Sequence, residues 1–138
     1  MSETPAEDFE RRTGGDEWIP YWAAARRREL RFQRCGACRQ WRFPPGPLCP
    51  SCLSDAADWE AASGRATLLS WVVVYPPVLP AWQERVPYVV VLVQTEEGPR
   101  TMGNLLGATA DDLVMDMPMR VDFAPSIDGD LVPQWRLA

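Results

Sequence analysis

The sequence predicts a mainly β chain made of a short N-terminal helix, a four-cysteine metal ribbon and a five-stranded barrel. Two C-x2-C pairs lie close together in the first half of the chain. From Gly64 onward the composition changes to Val, Leu and Thr, with turn-forming residues at short intervals. A length of 138 residues is enough for one domain with a small module beside it.

The composition excludes several kinds of active site. The chain has no histidine, and all 14 of its basic residues are arginine. A Ser-His-Asp triad, a histidine-ligated catalytic metal, a Schiff-base lysine and a Walker-type phosphate loop are therefore impossible within this sequence. Catalysis would have to use carboxylates, hydroxyls or cysteines, and no convincing nucleophile–base pair stands out among them. We therefore expect a chain that is not catalytic on its own.

The N-terminal residues predict a polar arm followed by a helix. Residues 1–15 are charged and end in two glycines, so we expect a disordered arm. This acidic start is the reverse of a signal peptide, which predicts a cytoplasmic protein without a membrane segment. Residues 16–28 predict a helix, because Trp18, Trp22 and Ala25 recur at three- and four-residue spacing and would form its apolar face.

The cysteines predict a metal site within a ribbon that spans residues 29–58. Cys35, Cys38, Cys49 and Cys52 form a C-x2-C-x10-C-x2-C pattern, in which each pair brings two sulfurs to one cation. Four thiolates complete a tetrahedron and leave no position for water or substrate, so we expect a structural zinc ion. Two alternatives use the same cysteines. Two disulfides are one alternative, although disulfides are rare in a chain without a signal peptide. A rubredoxin-type iron centre is the other, and it would have the same four ligands.

The second half of the chain, residues 64–138, predicts an OB-fold barrel. Runs of β-forming residues alternate with turns such as Glu96-Glu97-Gly98 and Asp128-Gly129. A short helical turn at 109–113 falls between the third and fourth strands, which is the element order of an OB-fold. The predicted strands are 66–75, 88–95, 99–106, 118–125 and 131–137.

An arginine-rich segment and a few residues of the barrel half are candidate contacts for a ligand or a partner. Residues 26–42 hold seven arginines and one acid, Glu29. The segment is either a solvated, partly ion-paired surface or an anion or partner site. The long proline-rich loop at 75–87 borders the usual ligand edge of an OB barrel. The candidate contact residues are Arg28, Arg31, Arg39, Trp41, Arg42, Tyr75, Trp82 and Asn104.

Taken together, the landmarks along residues 16–137 resemble one family. They include Gln33-Arg34-Cys35-x-x-Cys38, Phe43-Pro44-Pro45, Cys49-Pro50-x-Cys52, Ser63-Gly64-Arg65-Ala66-Thr67, Gly103-Asn104 and Met117-Pro118-Met119. This order is similar to that of the acyl-CoA-associated OB-fold proteins with a rubredoxin-like zinc ribbon, known as domain of unknown function 35. Two positions depart from the family pattern: Gly46 stands where the family has arginine, and Asp116 stands where it has glycine.

The resemblance implies an accessory subunit of an acyl-CoA-processing complex. In this family a thiolase-like partner carries the nucleophile, for example in steroid side-chain cleavage or polyketide acylation, and other members accompany MaoC-like enoyl-CoA hydratases. The ribbon and barrel chain would support the partner's active site or help to hold the coenzyme A thioester.

A single-stranded nucleic-acid binder is the rival prediction, because zinc ribbons and OB barrels both occur in such proteins. Binding of that kind pairs a basic groove with stacking aromatic residues. Residues 64–138 hold five arginines against nine acids, a balance that would repel a phosphate backbone. We therefore expect no nucleic-acid partner.

Overall fold

The computed structural model describes residues 14–75, 80, 83–127 and 129–138. It divides the chain into two compact units, Met1–Ser63 with Ala124–Val132, and Gly64–Phe123 with Pro133–Ala138. The predicted arm lies almost entirely outside the described residues, as do Trp82 and Asp128. Within the described ranges, no helix is both long and apolar enough to cross a bilayer.

The N-terminal helix, α1, is shorter than the sequence predicts and buries a partly different face. A 3-10 turn, Asp16–Trp18, precedes α1 at Ile19–Arg26, with Pro20 in its first turn. The helix buries Tyr21, Ala24 and Ala25, so the predicted apolar face is correct at Ala25, whereas Trp18 and Trp22 are only half-buried. The rings of Tyr21 and Trp18 both contact Phe43, which belongs to a later part of the chain. Tyr21, which the predicted face does not include, therefore shares this aromatic packing with Trp18.

The ribbon is a three-stranded antiparallel sheet in the order β2-β1-β3. Its strands are β1 at Arg31–Cys35, β2 at Trp41–Arg42 and β3 at Ala57–Ala61. Phe32 is fully buried. Gln33 is also buried, and its side-chain oxygen accepts a hydrogen bond from the Gly46 amide at 2.9 Å.

The second sheet forms the five-stranded barrel, with the strand order β6-β5-β4-β7-β8. The strands match the predicted positions closely: β4 Arg65–Val74, β5 Tyr88–Thr95, β6 Arg100–Asn104, β7 Pro118–Pro125 and β8 Leu131–Leu137. A 3-10 turn at Ala110–Asp112 lies between β6 and β7, which confirms the OB-fold order. The interior is filled by Leu68, Val91, Val93 and Trp135, none of which has measurable exposure.

One departure from the family pattern falls at a strained backbone position. Asp116, in the turn before β7, has φ +65, a left-handed conformation that glycine adopts at little cost. The turn is held by the Asp116 amide, which donates to the Leu68 carbonyl at 2.8 Å, and by the Leu68 amide, which donates to the Met117 carbonyl at 3.0 Å. The need for positive φ gives a physical reason for a glycine at this place in the family.

The barrel closes where β6 approaches β8, and Gly103 permits the close approach. Leu105 and Trp135 form a parallel bridge, and the Leu106 amide donates to the Trp135 carbonyl at 2.9 Å. A Cβ at Gly103 would lie 2.9 Å from Cδ1 of Trp135 and 2.9 Å from Oε1 of Gln134. Since the indole is fully buried, it has little room to move.

We expect Gly103→Ala to lower the free energy of unfolding by about 1–3 kcal/mol, the usual cost of overpacking. Urea denaturation followed by barrel tryptophan fluorescence measures the change. Gly46→Ala is the matched control, because Gly46 has no positive φ and a Cβ added there would meet nothing within 4 Å. Equal midpoints for Gly103→Ala and the parent chain would contradict the account of closure.

Candidate metal centre and its surroundings

The four cysteine sulfurs of the ribbon converge on one point. They all lie within 4.8 Å of one another, and the Cys35–Cys52 and Cys38–Cys49 sulfur pairs are each 3.6 Å apart. A tetrahedral zinc with Zn–S bonds of about 2.3 Å requires sulfur–sulfur separations of about 3.8 Å. A disulfide bond would bring two sulfurs to about 2 Å, and all four cysteines are free. The donor set therefore fits a tetrathiolate zinc ion and excludes the two-disulfide alternative in this structure.

The two C-x2-C turns have the same local geometry. In each turn, the residue four positions after the first cysteine donates its amide to that cysteine's carbonyl: Arg39 to Cys35 at 3.1 Å, and Leu53 to Cys49 at 2.9 Å. Arg39 and Leu53 also share a left-handed backbone, with φ of +65 and +63. Both turns thus form metal knuckles whose shape the backbone fixes, with one buried and one exposed cysteine in each.

Backbone amides within the knuckles stabilise the thiolate form of the buried cysteines. The amide of Cys38 is the main cause that lowers the pKa of Cys35 to about 6, and the amide of Cys52 lowers the pKa of Cys49. The amide of Ser54 also lowers the pKa of Cys52, but the neighbouring thiols and burial outweigh it and raise that pKa to about 11. The same amide donors that favour thiolates favour metal ligation, because only the thiolate binds zinc.

Acidic residues of the ribbon neutralise several of the candidate arginines. Arg31 donates from Nε to Glu29 at 2.8 Å and also bonds the Trp59 carbonyl. Arg39 donates to Glu60 at 2.6 Å, and Glu60 also accepts from Arg34 at 3.0 Å. These contacts lower the pKa of Glu60, so it remains ionised in the folded ribbon.

Two further candidates near the ribbon differ in exposure. Arg28 ends the turn after α1 with φ +60 and is exposed. Trp41 is half-buried on β2, and its ring lies 4.8 Å from the Arg34 guanidinium, a cation–π distance. The Arg34 guanidinium of the ribbon therefore already stacks on the Trp41 ring.

Arg42 is the one buried arginine among those that the structure describes. Its exposure is only 7%, and none of its three guanidinium nitrogens has a hydrogen-bond partner in the described part of the chain. On β2 it lies opposite Gln33 of β1, the other buried polar residue of this sheet. A buried charge without a partner is costly. The sequence does not predict this burial, because a run of arginines is typical of a solvent-exposed surface.

The barrel candidates lie on two different features. Tyr75, just after β4, is 69% exposed and lines a groove of about 360 Å3 together with Pro87, Tyr88 and Leu105. Asn104 ends β6, opposite Val90, and its backbone N–H donates to the side-chain oxygen of Gln134. The predicted contact at Trp82 lies outside the described residues.

The four-thiol centre and the barrel define a class of protein: a zinc ribbon followed by an OB-fold domain. A family model described as the ChsH2 rubredoxin-like zinc ribbon matches residues 22–58, and one described as the ChsH2 C-terminal OB-fold domain matches residues 59–124. A solved chain described as "Ltp2-ChsH2(DUF35) aldolase" is 35% identical, with a TM-score of 0.81 over 91% of this chain and 97% of that one. The chain belongs to this DUF35 (ChsH2) family.

Two curated relatives are longer proteins. A probable enoyl-CoA hydratase alpha subunit of Thermomonospora curvata is 38% identical over 118 residues, which are 86% of this chain and 36% of the relative. The 3-oxo-4,17-pregnadiene-20-carboxyl-CoA hydratase alpha subunit of Mycobacterium tuberculosis is 36% identical over 117 residues, which are 85% of this chain and 35% of the relative. This chain therefore spans about a third of the length of these two relatives.

Proposed function

We propose that this chain is a zinc-binding accessory subunit of an acyl-CoA-processing complex, in which a thiolase-like partner carries out acyl transfer or carbon–carbon bond formation or cleavage. The observation that carries the proposal is the likeness to the ChsH2(DUF35) chain of an aldolase, which extends over nearly the whole of both chains. The family resemblance read from the sequence points to the same class of partner.

The chemistry of the residues supports a division of labour between this chain and its partner. The four thiols saturate one metal ion, so the zinc supplies structural stability and no open coordination position. Without histidine or lysine, the chain offers neither the usual general base nor a Schiff-base amine. The reacting groups would therefore belong to the partner, whose active site this chain supports.

The groove at Tyr75 supports a contribution to substrate binding. Its volume of about 360 Å3 lies within the range of small-molecule sites, about 300–1,000 Å3. Val73, Tyr75, Pro87 and Tyr88 give it an apolar wall with a phenol at the rim. Such a wall suits the acyl or pantetheine part of a coenzyme A thioester.

A hydratase-type partner is the second candidate. The two curated relatives are named as hydratase alpha subunits, and this chain matches only about a third of each. The remaining parts of those relatives lie outside the match. On this alternative the partner is a MaoC-like enoyl-CoA hydratase, and the role of the ribbon and barrel is unchanged.

Purification of the tagged full chain from its source organism tests the proposal. We expect a thiolase-fold protein to co-purify in a fixed ratio, as identified by mass spectrometry, and the complex to consume an acyl-CoA that the isolated chain leaves intact. Recovery of a hydratase-fold protein instead would favour the second candidate. Brisk thioester turnover by the isolated chain, or tight oligonucleotide binding in a fluorescence titration, would contradict the accessory role.

A further inference from the structure

The outer face of strands β4, β5 and β6 carries a row of apolar side chains, interrupted by two uncharged polar residues, Ser70 opposite Leu92 and Asn104 opposite Val90. The strand register places Val72 opposite Val90, and Leu92 opposite Met102. Val72 is 59% exposed and Met102 is 68% exposed. The alternating residues of β5, Val91 and Val93, are fully buried inside the barrel. The same strands thus present apolar residues on both of their faces.

The apolar row ends partway along the strands. An antiparallel sheet with one solvated face normally alternates apolar inside with polar outside. The outer residues toward the other end follow that rule, because Thr67, Gln94 and Arg100 lie side by side in register. A shallow groove of about 200 Å3 follows the apolar part, which we call the β4–β6 face and define by Val72, Val90, Leu92 and Met102.

The chemistry of the β4–β6 face restricts what can cover it. Among the described residues, no charged side chain lines its groove, whereas single-stranded nucleic acids need basic residues along their backbone. The volume of about 200 Å3 also falls below the range of about 300–1,000 Å3 that encloses a small molecule. An uncharged aliphatic protein surface is the occupant that fits both constraints.

We infer that the β4–β6 face is the surface through which this chain docks on its thiolase-like partner, against an uncharged aliphatic patch of that enzyme. The inference rests on the proposed function and adds the location of the contact. The solved relative of the same fold is described together with a second protein, Ltp2, which makes a different protein the expected occupant.

The size of the face disfavours a second copy of this chain as the occupant. The apolar patch is small, because Val72 and Met102 are more than half exposed whereas Val90 and Leu92 are half-buried. A stable dimer buries about 800 Å2 on each partner, so a dimer formed on this face alone would be weak. In a larger heteromeric interface the same patch would be the dehydrated centre, where binding energy concentrates.

A charge on the face tests the inference. We compare Val72→Glu with Met102→Glu in the tagged full chain and measure how much thiolase-fold subunit co-purifies from the source organism. Both positions are more than half exposed, so the new carboxylate is solvated in the isolated chain. Burying it against an aliphatic surface would be costly, and we expect recovery to fall about tenfold or more. Thr67→Glu is the matched control, because Thr67 is an exposed outer residue of the same strand.

The outcomes separate the inference from the proposed function. The inference is supported if both face variants lose the subunit. Their zinc content and circular dichroism, and the recovery by Thr67→Glu, should then be unchanged. Parental recovery by the face variants overturns the inference and leaves the proposed function standing. A parent chain that recovers no thiolase-fold protein overturns both. A photo-crosslinker at position 102 that captures a second copy of this chain, rather than the subunit, also overturns the inference.

Discussion

Replacement of Cys49 by alanine is expected to unfold the ribbon while the barrel stays folded. Cys49 is 1% exposed and is one of the four converging thiols, so its loss removes a ligand from the centre of the module. Structural zinc contributes about 10–16 kcal/mol in finger-sized peptides, far more than a ribbon of about 30 residues gains from burial. Chelation of the zinc should have the same effect as the substitution.

Amide hydrogen exchange measured by mass spectrometry distinguishes the two units. In Cys49→Ala, peptides covering β1 and β3 should lose their protection, while peptides covering β4 and β5 keep it, because the barrel has its own buried core. Ser51→Ala is a suitable control, since Ser51 is exposed in the same knuckle and its hydroxyl bonds the side chain of Gln40, while the backbone amide that bonds Cys49 is kept. Full protection of β1 and β3 in the metal-free chain would show that the ribbon folds without zinc.

The barrel strands and the cysteine centre can be predicted from the sequence because both depend on local patterns. The sequence predicts strand β5 at 88–95, and it forms at Tyr88–Thr95, where a β-branched run ends in a Glu-Glu-Gly turn. The C-x2-C knuckles close through hydrogen bonds spanning four residues, so their spacing alone determines the convergence of two sulfurs in each. A short-range pattern is sufficient for such features.

Features that depend on long-range pairing cannot be predicted in the same way. The burial of Tyr21 on α1 involves packing against Phe43, and the burial of Gln33 depends on which residues of β2 and β3 flank it. Gly103 is recognisable in a family motif, but its necessity depends on Trp135, which lies two strands later in the chain. The arginine run likewise gives no indication that Arg42 differs from its neighbours, because the difference arises from the register of β2.

Substitution of Arg42 by methionine is expected to stabilise the isolated, zinc-loaded chain. The side chain is only 7% exposed and its guanidinium has no hydrogen-bond partner within the described residues, so folding removes a charge from water without compensation. Methionine is also a long, flexible side chain, but it carries no charge. Replacement of a buried ion pair by apolar residues can raise the free energy of unfolding by about 1–4 kcal/mol. Replacement of an unpaired buried charge should raise it by at least as much. Urea denaturation with ribbon fluorescence measures the gain.

The matched comparison is Arg34→Met, because Arg34 is bonded to Glu60 and to the Arg39 carbonyl and its guanidinium lies over Trp41. Removing that side chain breaks satisfied contacts, so we expect no gain in stability and a modest loss. A destabilised Arg42→Met chain would contradict the account of an unpaired charge. Arg42→Met could also stabilise the isolated chain and yet weaken the purified complex. That result would indicate that an anionic group of the partner pairs with Arg42 on assembly, because a new counter-charge makes the buried guanidinium favourable.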